Sequence, residues 1–431
     1  MKFIADFHVH SRFARATSRE ITIESLAKWA EIKGIKVLGT GDFTHPGWLK
    51  EIRQYLEPAE PGLFKLKTKS VKRKANGNGF LNTGENTRFI LTTEISCIYT
   101  KNDKVRKVHL MIFAPDLATV EKINARLEWI GNLKADGRPI LGLDSIELLK
   151  IALQASPECL LIPCHIWTPW FAIFGSKSGF DSVPECFGDY SRYIYALETG
   201  MSADPKMCWR LSCLDNYTLI SNSDAHSAPK IGREANVFEG DNLSYHSISG
   251  AIRKKSQNLK LIYTIEFFPE EGRYHFDGHR LCNIRFSPKE SKENNNLCPV
   301  CHKPLTIGVL NRVEELADRP EGIAPEGAIP YKSLVPLSEI IADALGVLPG
   351  AKKVDQEYLN LIKKFGDEMN ILIDAKEEDL KQATLPEVSQ GIIKVRQGKV
   401  ILEPGYDGVY GKVKVFGDGE QKQLNRQKAL F

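Results

Sequence analysis

No apolar run in this chain approaches the ~18–20 residues that a membrane-spanning helix needs, so a membrane protein of the helical type is not expected. Cysteine is sparse: nine residues, an odd number and mostly scattered, do not make a disulfide framework. A large excess of one charge is also missing. At a net charge of +4, bulk electrostatics does not announce a nucleic-acid partner, and only local clustering can argue for one. The opening MKFIADFHVH has an apolar run too short, and too soon broken by histidines, to read as a signal peptide. The expected compartment is the cytoplasm. What remains is an ordinary globular composition, with 42% hydrophobic and 26% charged residues, in a chain of 431 residues that is long enough for two or three domains.

The chain is organised around its first strand-like run, Phe3–Ile4–Ala5–Asp6–Phe7–His8–Val9–His10. Residues two apart on an extended strand share a face, so His8 and His10 point the same way, as two ligands of one ion do. Four more apolar runs end in residues of the same type. The run 36–40 exits into Asp42 and His45, the run 89–93 into Glu94, the run 159–163 into His165, and the run 218–222 into Asp224 and His226. His109 lies on the run 107–113, which follows the Glu94 run after a Lys101–Lys104 turn, as a hairpin neighbour would. Ligand-type side chains at the exits of several strands are how a β/α barrel gathers a site on one face. Residues 20–33 carry a helical stripe of Ile23, Leu26, Ala27 and Ala30 that stops at Gly34, so residues 3–40 read as a β-α-β unit. Residues 144–155 also read as a helix.

Two loops carry further signals. Residues 65–74 hold six cations in ten positions, Lys72 and Arg73 among them, and precede Asn76–Gly77–Asn78–Gly79. They read either as a contact to a phosphate backbone or as a solvated insertion. After His165 comes an aromatic loop containing Trp167, Trp170 and Phe171 and then Gly175–Ser176–Lys177–Ser178–Gly179. Its rings could stack on a base and its Gly-Ser-Lys-Ser-Gly amides, with Ser176 and Lys177, could hold a phosphate; the alternative is a folded loop whose aromatics pack. Glu198 ends a run over 193–199, where it touches metal or substrate or forms an ion pair within the barrel.

Composition shifts near Phe267. His279 and Cys282 form an H-x2-C pair, and after fifteen intervening residues Cys298 and Cys301 form C-x2-C. Two such knuckles supply the four N/S ligands of a closed structural zinc site, with His302 or His275 as replacements for His279. Beyond Val313 the pattern predicts helices over 336–346 and 355–366, and strands over 391–397 and 399–403 around a Gly398–Lys399 turn. The domains expected are 1–265, 266–312 and 313–431. The last residues, Gln427–Lys428–Ala429–Leu430–Phe431, read as a docking peptide or an unstructured end.

His8–Val9–His10, the segment TGDFTH over 40–45, Glu94, His109, His165 and Asp224–Ala225–His226 resemble the motifs of the PHP metal-dependent phosphoesterases. Within that superfamily, CHIWTPWFAIFGSKSGFDS, ALETGMSADPKMCWRLSCLDNYTLISNSDAHS, GHRLC with CPVC, and LTIGVLNRVEELADR resemble the endonuclease Q family of DNA repair nucleases, over residues 1 to about 415. The resemblance implies an α/β fold: a distorted (β/α)7 barrel with a two- or three-ion centre, a small zinc-binding domain and a mainly helical C-terminal domain. It implies nicking of DNA 5′ to deaminated bases (uracil, hypoxanthine, xanthine) and to abasic sites. It further implies that His8, His10, Glu94 and Asp224 hold one ion, that Glu94, His109 and His165 hold a second with Glu94 bridging, and that His45 and His226 hold a third. The chain departs from the superfamily pattern in two places. Asp42 and His45 are separated by Phe43–Thr44, and Ala16 stands where many members have another ligand, which leaves open the third ion and which of Asp42 and His45 is a ligand. Gln427, Leu430 and Phe431 resemble the bacterial sliding-clamp pentapeptide, which implies a clamp partner and a nucleoid-associated location.

The chemistry of the residues agrees with this. Two ions can bind the attacking and the leaving oxygen of a phosphodiester, and imidazoles with bridging carboxylates suit zinc or manganese, with added Mg²⁺ possible. Asp224, Glu94 and His226 are the residues expected to carry the reaction. The competing expectations are a PHP-type 3′–5′ exonuclease or small-molecule phosphatase, and a non-catalytic zinc-containing DNA-binding adaptor.

Overall fold

The computed structural model describes residues 1–67, 84–417 and 419–420. Lys72, Arg73, Gln427, Leu430 and Phe431 lie outside the described residues.

Seven strands are arranged in a ring, five in one sheet and two in another: β1 (Lys2–Asp6), β2 (Val37–Gly39), β3 (Arg88–Lys101), β4 (Lys104–Ala114), β5 (Leu160–Pro163), β6 (Ala196–Glu198) and β7 (Thr218–Ile220). β1, β2 and β3 are parallel neighbours, with Ala5 opposite Val37 and Leu38 opposite Phe89. β4 breaks the parallel pattern. It is the return arm of a hairpin with β3, places Glu94 opposite Met111 and Ser96 opposite His109, and pairs antiparallel with β5 as well. The turn at its base uses Asn102 and Asp103, both at positive φ (53° and 57°), as a tight hairpin turn demands. Past β5, the Ile166 amide donates to the Glu198 carbonyl, and β6 pairs parallel with β7. The ring closes where the chain beyond β1 meets the chain beyond β7, through the Val9–Ala225 bridge and a 3.1 Å bond from the His10 amide to the Ala225 carbonyl.

The first half of β1 has a second neighbour. β8 (Ala235–Gly240) pairs antiparallel with it, and β9 (Leu259–Glu266) follows, so the sheet runs out of the ring on that side. Strands covered on both faces read as continuous apolar runs, which is why Val37, Leu38 and Gly39 are all buried. A Cβ at Gly39 would collide with the Phe7 carbonyl oxygen, so glycine lets β2 lie this close to β1. The helix between them spans Ile23–Lys33. Thr22 caps its start in a reciprocal box with Ser25, and Gly34, at φ 83°, ends it. The predicted helix over 144–155 is observed at Ser145–Ala155.

A hairpin of Asp277–His279 and Ile284–Phe286 opens the cysteine-bearing module. The helix Val309–Leu316 leads out of it, crossing the position of the expected 312/313 division. Arg312 on that helix donates from Nε to the Phe174 carbonyl and from Nη2 to the Phe180 carbonyl, tying the module to the aromatic loop of the barrel.

The C-terminal region is mainly helical, with Leu337–Leu345, Lys352–Phe365, Glu377–Ala383 and Pro386–Arg396. The last of these corrects the strand expected over 391–397. Val388, Ile392 and Val395 are all buried at a spacing of four and three, one face of a helix that Pro386 starts. Only Ile401–Glu403 forms a strand there, pairing with Lys412–Lys414. A buried ion pair joins this region to the barrel: Lys33 Nζ lies 2.6 Å from Glu368 Oε2, and Glu368 also accepts from the Tyr358 hydroxyl and the Leu337 amide.

Candidate metal centre

The strand exits bring His8, His10, Glu94, His109, His165, Asp224 and His226 onto one face in three overlapping ligand-type groups, and His8 belongs to a fourth with Cys164 and Glu198. His8, His10 and Glu94 form one, Glu94, His109 and His165 a second, and His10, Asp224 and His226 a third. Glu94 divides its carboxylate between the first two. Its Oε2 lies 3.3 Å from His10 Nε2 and 3.5 Å from His8 Nε2, while its Oε1 lies 2.7 Å from His109 Nδ1 and 3.2 Å from His165 Nε2. Asp224 Oδ1 lies 3.0 Å from His10 Nε2 and 3.7 Å from His8 Nε2.

Three imidazoles, His8, His10 and His165, are held by the nitrogen that does not face the centre, and His226 by a nitrogen that also lies 3.5 Å from Asp224 Oδ1. His8 Nδ1 sits between both oxygens of Glu198, at 3.0 and 3.1 Å. His10 Nδ1 lies 3.1 Å from Asp42 Oδ1, His165 Nδ1 3.3 Å from the Thr168 hydroxyl, and His226 Nδ1 2.8 Å from the Asp224 carbonyl. Such outer partners fix the ring and its tautomer, leaving the other nitrogen as a lone-pair donor. The backbone is strained at the same places: Asp42, His165 and Asp224 have φ of 47°, 30° and 46°. Non-glycine residues held in that region cluster at functional sites.

The donor set fits a transition-type ion better than an alkaline-earth one, being rich in imidazole. One atom argues for an ion independently: His8 Nε2 is buried, faces two carboxylates and has no hydrogen-bond partner. Burial alone would raise the Glu94 carboxyl, but His109, Arg138 and the two N-terminal histidines overcome it and hold it well below the usual range. Burial also lowers His109, to about 4, against the pull of Glu94, so its imidazole is neutral and able to ligate.

Arg138 was not legible in the sequence. It arrives on a turn between barrel elements and donates from Nη1 to Glu94 Oε2 at 3.0 Å. A lone arginine far from any motif carried no signal.

Several expected residues sit elsewhere. Asp42 is fully buried and spends both oxygens, one on His10 and one on the Ser11 amide at 2.6 Å, so it orients a ligand rather than facing the centre. His45 starts the helix Pro46–Tyr55 and stacks on Phe13 at 4.2 Å, and it joins none of the ligand sets among the described residues. Glu198 lies behind His8 and also accepts from the Asn222 side chain and the His165 amide. Trp167 is a core residue, 1% exposed, tilted against Phe174 with its N–H on Cys208 Sγ. Its burial removes it as a stacking platform. Phe171 keeps that possibility: its ring lies 4.7 Å from that of His109, and Lys107 Nζ lies 5.4 Å from its centroid. Trp170 is exposed and meets Tyr274 edge-on. The Gly-Ser-Lys-Ser-Gly loop does not present a free nest. The amides of Gly175, Lys177 and Gly179 donate to carbonyls of the same loop, and the Ser176 hydroxyl donates to Ile307. Lys177 is exposed.

His279, Cys282, Cys298 and Cys301 form a separate four-residue set whose ligand-type atoms lie within 4.8 Å of one another, with Cys301 Sγ 3.8 Å from His279 Nδ1. Neither alternative histidine joins it among the described residues. His302 is exposed, and His275 is buried against Phe276. No helix of the described residues is long and apolar enough to cross a membrane.

Comparison with known proteins gives a consistent answer. Residues 336–399 match the MJ0043 C-terminal domain family. An uncharacterized protein, MJ0043 of Methanocaldococcus jannaschii, is 34% identical over 252 residues, which is 58% of this chain but only 31% of that protein's length. Two solved structures match along nearly the whole chain. The lesion-specific endonuclease PfuEndoQ from Pyrococcus furiosus superposes with a TM-score of 0.82 at 30% identity, covering 96% of this chain and 95% of that one. Endonuclease Q in complex with a 27-mer duplex substrate carrying an abasic lesion at the active site gives a TM-score of 0.83 at 30% identity, with 98% of both chains covered. With the ligand sets, the cysteine module and the helical C-terminal region inside one continuous match, this chain belongs to the endonuclease Q family.

Proposed function

We propose that this protein is a metal-dependent endodeoxyribonuclease that nicks DNA on the 5′ side of deaminated bases (uracil, hypoxanthine, xanthine) and of abasic sites. The observation that carries the reading is Glu94, a single buried carboxylate with one oxygen toward each of two imidazole sets. In this reading His8, His10, Glu94 and Asp224 hold one ion, and Glu94, His109 and His165 a second. His226, beside His10 and Asp224, is the candidate for a further one. Ions so held, zinc or manganese with Mg²⁺ as a further activator, would supply charge neutralisation at the phosphate and lower the pKa of a bound water.

The chain's own residues do the rest. Glu198, Asp42 and Thr168 keep the imidazoles in the tautomer that ligates. A deaminated base must leave the stack to be read, and a mismatched or missing base costs least to extrude. Phe171, beside His109, and the exposed Trp170 are the platforms on which the extruded nucleotide or its neighbour stacks. The cysteine module, in which His279, Cys282, Cys298 and Cys301 would hold a zinc ion, is tied to this loop through Arg312. Lys177, Lys72 and Arg73 are proposed contacts to the DNA backbone, and Gln427, Leu430 and Phe431 a contact to the sliding clamp.

The test is a nicking assay on end-labelled duplex with one internal uracil, hypoxanthine or abasic site, with Mn²⁺ or Mg²⁺. The expected result is one cut immediately 5′ of the lesion, absent for Asp224→Asn and on undamaged DNA. Shortening from a 3′ end would assign an exonuclease instead. Binding without cleavage under any divalent metal would assign an adaptor.

A further inference from the structure

One side chain at the centre belongs to no ligand set. Arg138 Nη1 donates to Glu94 Oε2, the same oxygen that His10 Nε2 and His8 Nε2 face. Its side chain keeps 23% of its surface in solvent, whereas Glu94 keeps 1%, so the guanidinium stands between the buried carboxylate and the outside.

The turn that delivers it is tightly specified. Asp136 Oδ1 accepts the Arg138 amide at 3.1 Å and the Arg15 amide at 3.2 Å. The Gly137 amide donates to the Phe13 carbonyl, and a Cβ at Gly137 would collide with Asp42 Oδ2, so only glycine lets the turn lie against the carboxylate that orients His10. The exposed cations Arg15 and Lys134 flank the same turn.

A guanidinium carries five N–H donors in a planar fork that matches the oxygens of a phosphate. Its present partner, Glu94 Oε2, is the oxygen that a cation among the surrounding imidazoles would claim. A cation there would repel the guanidinium and compete with it for that oxygen, which weakens the Arg138–Glu94 bond. A phosphodiester drawn to the same cation would bring its anionic oxygens to the place where the guanidinium already lies.

We propose that Arg138 contacts the non-bridging oxygens of the scissile phosphate, exchanging Glu94 for the substrate when the centre is loaded. The proposal rests on the phosphodiesterase reading above, but not on lesion specificity.

The experiment measures binding by fluorescence anisotropy across a range of NaCl. The probe is a duplex with one abasic-site analogue whose 5′ linkage is a methylenephosphonate, which keeps both anionic oxygens and resists cleavage. Wild type, Arg138→Met and Arg138→Lys are compared in Mn²⁺ and in EDTA, with metal content measured for each. Methionine keeps the stem's packing and lysine keeps the charge. In Mn²⁺ the methionine variant should show a log–log salt slope shallower by about one, the loss of a single phosphate contact, while lysine retains it. In EDTA, where Glu94 keeps the guanidinium, wild type and methionine variant should coincide. On cleavable DNA the methionine variant should lose about a hundredfold or more in kcat at unchanged metal content. Equal slopes in Mn²⁺ overturn the proposal, as does a slope difference that persists unchanged in EDTA. If wild type shows the metal-dependent slope difference but nicks no lesion, the lesion reading fails and the Arg138 contact stands.

Discussion

Replacing Glu198 by glutamine separates an outer positioning role from a mere ion pair. The hydrogen-bond partners of this carboxylate are all donors. His8 Nδ1 reaches both oxygens, the Asn222 side-chain amide reaches Oε1 at 2.9 Å, and the His165 amide reaches Oε2 at 2.8 Å. A glutamine must turn its NH₂ toward either the Asn222 NH₂ or the His165 N–H. Asn222 cannot flip in response, because its oxygen already accepts from the Phe7 amide and the Asn236 side chain. One buried donor is therefore left unmatched, at a cost of about 1–3 kcal/mol. If the new NH₂ donates to His8 Nδ1 instead, the ring proton moves to Nε2, the nitrogen that faces the centre. Either route weakens metal binding, by about 10–100-fold on the usual scale for outer partners of a ligating histidine. Calorimetric titration of metal-stripped Glu198→Gln with Mn²⁺, beside a thermal melt, measures both effects. A variant that melts a few degrees low yet binds Mn²⁺ as tightly as wild type would refute the positioning role and leave Glu198 as a structural partner only.

Three further outcomes are expected. Trp167→Ala should lower stability by about 3–5 kcal/mol in denaturant unfolding, as loss of a buried indole does, while Phe171→Ala leaves stability nearly unchanged and weakens binding to an abasic-site duplex; the reverse pattern would exchange their roles. Glu368→Gln leaves Lys33 buried without its counter-ion and should cost about 3–5 kcal/mol, read as a lower denaturant midpoint and checked against Lys33→Met, which removes the charge itself. Glu271 is raised from its ordinary value near 4.5 to about 9, first by burial and then by Glu339 against the opposing pull of Arg233. The folded state keeps this proton longer than the unfolded chain does, so stability is full below about pH 4.5 and falls as pH rises toward about 9. Melting temperatures of Glu271→Gln should decline less over that window than those of wild type, and parallel declines would contradict the burial argument.

The sequence by itself pointed to most of the ligand-type side chains that the fold gathers on one face, because strand exits converge and a period of two fixes which side chains share a face. His8, His10, Glu94, His109, His165, Asp224 and His226 were all legible on that ground, as were the H-x2-C and C-x2-C knuckles, whose spacing is a local property of a turn. The tertiary structure alone decided what depends on neighbours far away in the chain. Asp42 and Glu198 look like ligands in one dimension, but the folded chain turns both toward the backs of histidines, 32 and 190 residues away in sequence. Trp167 and Phe171 are chemically similar and four residues apart, yet one enters the core and the other lies on His109. The strand expected over 391–397 failed for the same reason. Its apolar residues fit a strand or a helix face equally well over so short a run, and the buried contacts of Val388, Ile392 and Val395 chose the helix. Arg138 had no local pattern at all, since only the approach of its turn to Glu94 makes it part of the centre.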